Sequence, residues 1–135
     1  MNTDKTCKII SLQDADLCYY PKFLNKISAN ALYNFLLKEL DWQQYYIQLF
    51  GKKIAQPRLT ALYSLNESTY TYSGLQLIPK PYTQELVKLN SFLNDLTGQK
   101  FTHCLANLYR NGNDSMGWHS DNERELGKDP VIASI

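Results

Sequence analysis

The tripeptide His119-Ser120-Asp121 is the part of this chain whose residue types and spacing could do chemistry. In extended backbone, positions two apart point to the same side, so an imidazole and a carboxylate are presented together. Two such ligands plus a remote histidine make the facial triad of non-haem Fe(II) oxygenases, which leaves coordination positions open for a co-substrate and oxygen. Taken alone the three residues are a weak signal, and a turn aspartate beside a surface histidine is the plainer reading of them. The preceding stretch FTHCLANLY, residues 101–109, adds weight. As a strand it puts Phe101, His103, Leu105, Asn107 and Tyr109 on one face and the small or apolar Thr102, Cys104, Ala106 and Leu108 on the other. A core-like strand with an amide, a phenol and an imidazole on one side borders a cavity, or else is half-exposed with those groups facing water.

The elements that must position these groups are partly legible. Residues 1–27 read as an irregular or partly extended arm. Ser28 reads as an N-cap, with Ile27 and Leu32 as a hydrophobic staple. Leu32, Phe35, Leu36 and Leu40 follow at helical spacing, which predicts a helix to about Leu40. From Gln43 the texture changes to QQYYIQLFGKKIAQPRLTALYS, punctuated by Gly51 and Pro57, which suggests two strands around a turn. TYTY is another short strand. The segment PKP (Pro79 to Pro81) is expected to open a second helix with Tyr82, Leu86, Leu89, Leu93 and Leu96 in one apolar stripe, ended by Gly98. RNGND reads as a turn, and the closing VIASI as the start of a buried strand. The tally is about five strands and two helices.

Composition sets outer bounds. A chain of 135 residues is long enough for one domain with a single core, and 44% hydrophobic with 20% charged residues is ordinary for a globular protein. A net charge of +1 gives no global electrostatic case for a nucleic-acid partner, so such a case must rest on local patches. Cys7, Cys18 and Cys104 form neither a CxxC pair nor a framework, which points to a reducing compartment. The N-terminus MNTDKTCKIISLQDADLCYY interrupts every apolar run with acidic residues and reads as no signal peptide, and no stretch approaches a membrane span. The expectation is a cytoplasmic monomer with no membrane association and no protein partner evident.

Several motifs in register then carry a resemblance. NLYRNGNDSMGWHSDNERELGKDPVIAS resembles the central motif of the AlkB family of oxidative alkylation-repair dioxygenases. Upstream, QPRLTALYS and YTYSGLQLIPKP resemble that family's nucleotide-recognition segments in the same order, so the likeness covers about residues 42–135. It is nearest to the animal DNA-repair members and their bacterial relatives. The resemblance implies an α+β, mainly β fold: a double-stranded β-helix, or jelly roll, with N-terminal helices packed outside. Residues 42–75 would supply recognition segments and 101–135 the start of the jelly-roll core. It implies Fe(II), 2-oxoglutarate and O2, with His119 and Asp121 as iron ligands and Asn107 and Tyr109 as contacts to 2-oxoglutarate. It implies Tyr70, Tyr72 and Glu123 as residues that hold and read the damaged base, and a substrate-facing hairpin at Phe50 to Lys53 and Pro57-Arg58. The implied reaction is oxidative demethylation of 1-methyladenine and 3-methylcytosine in DNA, with the methyl group lost as formaldehyde.

Residue chemistry is compatible with those roles. Chemistry on a base requires the nucleotide to leave the stack, so aromatic surfaces must receive it. Lys52, Lys53 and Arg58 beside Phe50 and Pro57 mix phosphate-pairing charge with an apolar wedge. The bland alternative has the tyrosines filling a core and the lysines solvated. Two departures from the family pattern stand out. Asn122 lies where close relatives often carry Asp, which bears on substrate preference. The family's third iron ligand and its 2-oxoglutarate-clamping arginine follow HxD, whereas here His103 precedes it and no arginine follows Arg124. The chain therefore reads as the N-terminal part of a longer domain, with the C-terminal part of the barrel missing. The alternatives are the same chemistry on RNA or protein, or a non-catalytic nucleic-acid-binding remnant.

Overall fold

A computed structural model of the chain describes residues 6–66, 70–72, 75–121 and 126–135. They fall into two compact units, Met1–Leu40 and Asp41–Ile135.

In the first unit, β1 (Lys8–Leu12) and β2 (Ala15–Tyr19) form an antiparallel hairpin. Its register pairs Ile10 with Leu17 and Leu12 with Ala15, apolar cross-strand partners that stabilise such a ribbon. Of the irregular or partly extended arm expected here, the extended reading holds, and the strands pair with each other. The acidic residues of the segment are accommodated: Asp14 takes the turn at φ 59, a left-handed conformation Asp tolerates, and Asp16 pairs with Ser11 on the opposite face. The hairpin also brings Cys7 and Cys18 together as a disulfide, with Cα atoms 5.7 Å apart, so two of the three cysteines do form a framework; Cys104 is free. Antiparallel pairing, invisible in the spacing alone, is what aligns them. Helix α1 (Lys26–Glu39) begins at Asn25, whose Oδ1 accepts from the Ser28 amide at 2.8 Å. Ser28 is therefore inside the helix and Ile27, 83% exposed, staples nothing. Asn caps a helix about as well as Ser.

The second unit opens with a hairpin of β3 (Tyr46–Leu49) and β4 (Lys52–Ala55), followed after Pro57 by a separate strand, β5 (Leu59–Ser64). The two strands expected here are thus three. A short antiparallel ribbon joins β6 (Tyr70–Tyr72) to β7 (Leu75–Leu77). Lys80–Pro81 is a two-residue strand, β8, parallel to β5. PKP accordingly does not open the helix: Pro81 occupies an edge, where its missing N–H is harmless. Thr83 caps α2 (Gln84–Thr97) instead, its Oγ1 accepting from the Leu86 amide at 3.3 Å. Tyr82 lies outside the helical stripe, and burial and the neighbouring Cys104 thiol push its phenol well up. Leu86 and Leu89 are buried, and Gly98 closes the helix at φ 71 as expected.

Strand β9 (His103–Leu108) pairs antiparallel with β5, giving the three-stranded order β8-β5-β9. One face of this sheet carries Leu62 and its register partner Leu105, which pack with Leu77, Tyr45 and Leu126. The residues VIASI, 131–135, form no strand, and Val131, Ile132 and Ile135 are exposed. A strand needs a partner ladder, and none is hydrogen-bonded to this segment among the described residues. Among the described residues the architecture is α+β: two helices with nine strands in three two-stranded antiparallel sheets and one three-stranded mixed sheet. No helix in the described residues is long and apolar enough to cross a membrane.

Candidate functional site

The site is built on the β5–β9 pair. Thr60 gives both its backbone N–H and its carbonyl to Gln43, at 3.0 and 2.9 Å, so opposite Asn107 it belongs to a non-hydrogen-bonded pair. Such pairs bring side chains closest. Thr60 Oγ1 donates to Asn107 Oδ1 at 3.1 Å, which fixes the amide rotamer and leaves the Asn107 NH2 as a donor on an exposed residue. Tyr109, just past β9, is 45% exposed. Asn107 lies on the face that also carries Leu62 and Leu105, so the strand face with polar groups is half core and half open.

The backbone then turns through 110–115 under tight control. Arg110 donates to Asp114 three times: from its amide to Oδ2 at 2.9 Å, from Nε to Oδ2 at 2.7 Å, and from Nη2 to Oδ1 at 2.9 Å. The bidentate fork is the strong geometry for this pair. Hydrogen bonds from the Arg110 side chain first, and its backbone N–H second, hold the Asp114 carboxyl down to about 2, although its surroundings work the other way. Because the folded value is depressed, the pair's contribution to stability is complete above the ordinary carboxylate range and is lost as pH falls through about 2. Urea midpoints of wild type and Asp114→Asn should therefore differ most above pH ~4 and converge in acid. A constant offset down to pH ~2 would contradict this assignment.

Beyond the turn, His119 and Asp121 come together as their spacing requires. His119 Nδ1 lies 2.9 Å from the Gly117 carbonyl oxygen, and Nε2 lies 3.3 Å from Asp121 Oδ1. A carbonyl can only accept, so Nδ1 carries the proton. Nε2 is thereby left beside Asp121 Oδ1, as the donor of an ion pair in the imidazolium form or, in the neutral ring, as one of two donor atoms that a shared cation could take. A carbonyl that fixes the tautomer behind a ligating imidazole is also usual second-sphere chemistry for a metal. The donor set thus fits Fe(II), while among the described residues no group of three His, Cys, Asp or Glu side chains is gathered.

The remaining candidates among the described residues lie on β3 to β6 and the turns between them. Phe50 and Gly51 make the β3–β4 turn with φ of 49 and 75, the two left-handed residues of a type I′ hairpin. A phenylalanine in that conformation is strained, and this one is 96% exposed. Lys53 Nζ stacks 4.6 Å from the Tyr46 ring centroid. Arg58 is 3% exposed, so its side chain is buried rather than presented to solvent. Tyr70 and Tyr72 fall on β6, opposite Leu77 and Leu75. Glu123 and Asn122 lie outside the described residues.

Sequence reasoning missed Thr60, Gln44 and the Arg110–Asp114 lock. RNGND does hint at the lock through its basic and acidic ends, but Gln44 gives no local sign, since its partner is 66 residues away.

Comparison with known proteins bears on the same residues. A family model for the 2OG-Fe(II) oxygenase superfamily matches residues 16–135. The human alpha-ketoglutarate-dependent dioxygenase alkB homolog 3 is 38% identical over 120 residues, covering 88% of this chain and 41% of that protein. Human DNA oxidative demethylase ALKBH2 is 37% identical over 121 residues, 87% of this chain and 46% of that protein. Its Arabidopsis thaliana counterpart is 30% identical over 127 residues, 90% of this chain and 40% of that protein. The chain spans less than half the length of these relatives.

Proposed function

The chain belongs to the AlkB-type 2OG-Fe(II) oxygenases, and from that premise we propose that the whole protein oxidatively removes alkyl groups from nucleobases in DNA, with 1-methyladenine and 3-methylcytosine as its lesions. The observation that carries this reading is the His119–Asp121 pair, with the imidazole oriented by Gly117 and its Nε2 turned to the carboxylate. These two side chains would hold Fe(II). When bound, the metal with 2-oxoglutarate and O2 supplies oxidation of an otherwise inert N-methyl C–H bond, chemistry no side chain can provide.

The chain's own residues do the binding and orienting. Asn107, its carbonyl oxygen already engaged by Thr60, directs an NH2 donor toward an acidic co-substrate, and the exposed Tyr109 phenol offers a second hydrogen bond. The strained, fully presented Phe50 suits an apolar wedge at a base step, with Lys52 and Lys53 beside it for phosphates. Tyr70, Tyr72 and Glu123 are assigned to holding the extruded base. In this reading β5 and β9 belong to the jelly roll of the complete domain.

The test is to incubate the whole protein with a 3-methylcytosine oligonucleotide, Fe(II), 2-oxoglutarate and air, and to follow methyl loss by mass spectrometry together with formaldehyde release. Methyl loss that requires both iron and 2-oxoglutarate is expected. Salt-dependent DNA binding that is indifferent to both, with no methyl loss, would replace this reading with a non-catalytic binding protein. Turnover of a methylated RNA or peptide in preference to DNA would change the substrate class.

A further inference from the structure

Two segments far apart in sequence are tied together by one side-chain amide. Gln44 Nε2 lies 2.8 Å from the Gln56 carbonyl oxygen, 3.0 Å from that of Tyr45 and 3.4 Å from that of Arg58. These carbonyls line the neck of the β3–β4 hairpin, which the Gln56 amide closes by donating to the Tyr45 carbonyl at 2.8 Å. The other end of the same amide, Gln44 Oε1, accepts from Arg110 Nη1 at 3.3 Å. Arg110 is in turn locked to Asp114, and the next residue, Ser115, donates its amide to the Pro57 carbonyl at 3.2 Å. The turn of residues 110–115 is therefore pinned to the neck at two points, Gln44 and Pro57. That turn connects the strand carrying Asn107 to the loop carrying His119 and Asp121.

We propose that Gln44 and Arg110 are positioning residues that hold the β3–β4 hairpin in register with the metal-binding loop, so that a polymer bound at the hairpin is presented to His119 and Asp121 in one geometry. The catalytic part of this proposal rests on the demethylase reading above; the mechanical coupling does not. Only a carboxamide suits position 44, because it must donate to a row of carbonyls at one end and accept from a guanidinium at the other. A flipped amide would oppose carbonyl to carbonyl and NH2 to guanidinium, so its orientation is settled by its neighbours. Arg110 similarly spends separate guanidinium nitrogens on Gln44 and on Asp114, which a lysine ammonium cannot reproduce with the same fork.

Two variants of the whole protein separate this from an ordinary surface contact. Gln44→Glu keeps the acceptor for Arg110, as an ion pair, and loses every donor to the neck. Arg110→Lys keeps the charge and the backbone bond to Asp114 and loses the fork. Hydrogen exchange followed by mass spectrometry should show residues 44–58 and 110–121 losing protection together in both variants. Wild-type protection in one segment while the other opens would overturn the coupling. With methylated oligonucleotide, kcat/KM is expected to fall on the order of 10–100-fold, as for a reacting group misplaced by about 1 Å, with the KM for 2-oxoglutarate unmoved. A matching rise in the 2-oxoglutarate KM, or wild-type kcat/KM in Gln44→Glu, would also overturn it. If wild type itself demethylates nothing, the catalytic reading fails, and the exchange measurement still decides the coupling.

Discussion

His119→Ala in the whole protein is expected to abolish Fe(II)-dependent demethylation while leaving the fold essentially unchanged. Outer-sphere changes around a metal already cost 10–100-fold in affinity or activity, so deleting a first ligand should exceed roughly 100-fold. The His119 side chain is about two-fifths exposed, and the contacts that define it are those to Gly117 and Asp121. Substitutions of that kind usually stay within about 0.5 kcal/mol of wild-type stability. The loss should therefore appear in anaerobic Fe(II) titration and in turnover, and be absent from the melting curve. Asp121→Asn, which keeps shape and removes the charge, should follow the same pattern. Wild-type turnover by His119→Ala would sink the ligand assignment. A large drop in melting temperature would instead make the pair a structural device.

What could be read from the sequence was local. The HxD geometry, the alternation of β9, the glycine cap of α2 and the existence of both helices depend on spacings of a few residues, and the chain adopts them. Contacts that depend on pairing across the chain were not readable. The Cys7–Cys18 link needs the β1–β2 register, and Thr60 gains meaning only once Asn107 lies opposite it, 47 residues away. Lys80–Pro81 reads as a helix start because a proline suits that position, yet the parallel contact with Tyr63 and Ser64 claims it as an edge. VIASI has the composition of a strand, but composition cannot supply the ladder that makes one. Arg58 reads as an exposed phosphate-binding charge, yet it is only 3% exposed, a burial that no local spacing announces.

Packing across the chain also sets the largest expected effect on stability. Leu62 is 5% exposed and is the β5 member of the cluster with Leu77, Leu105, Tyr45 and Leu126. Truncating a buried leucine removes its transfer energy and leaves a cavity, at a cost of about 2–5 kcal/mol. Leu62→Ala should lose that much by urea unfolding, and Leu62→Met, which conserves volume, less than about 1.5 kcal/mol. Function should register the change as well. Leu62 and Leu105 are register partners, and Thr60 and Asn107 are the next pair along the same face. If the leucine pair no longer holds the strands in contact, the Thr60–Asn107 hydrogen bond loosens and the Asn107 amide is no longer aimed. The KM for 2-oxoglutarate should then rise in Leu62→Ala under conditions where the protein is still folded, and stay near wild type in Leu62→Met. A stability loss below about 1 kcal/mol for Leu62→Ala, the centre of the distribution for ordinary point mutants, would show that this cluster is not the core. A full stability loss with an unmoved KM would show that Asn107 is positioned by Thr60 alone, independently of the packing beneath it.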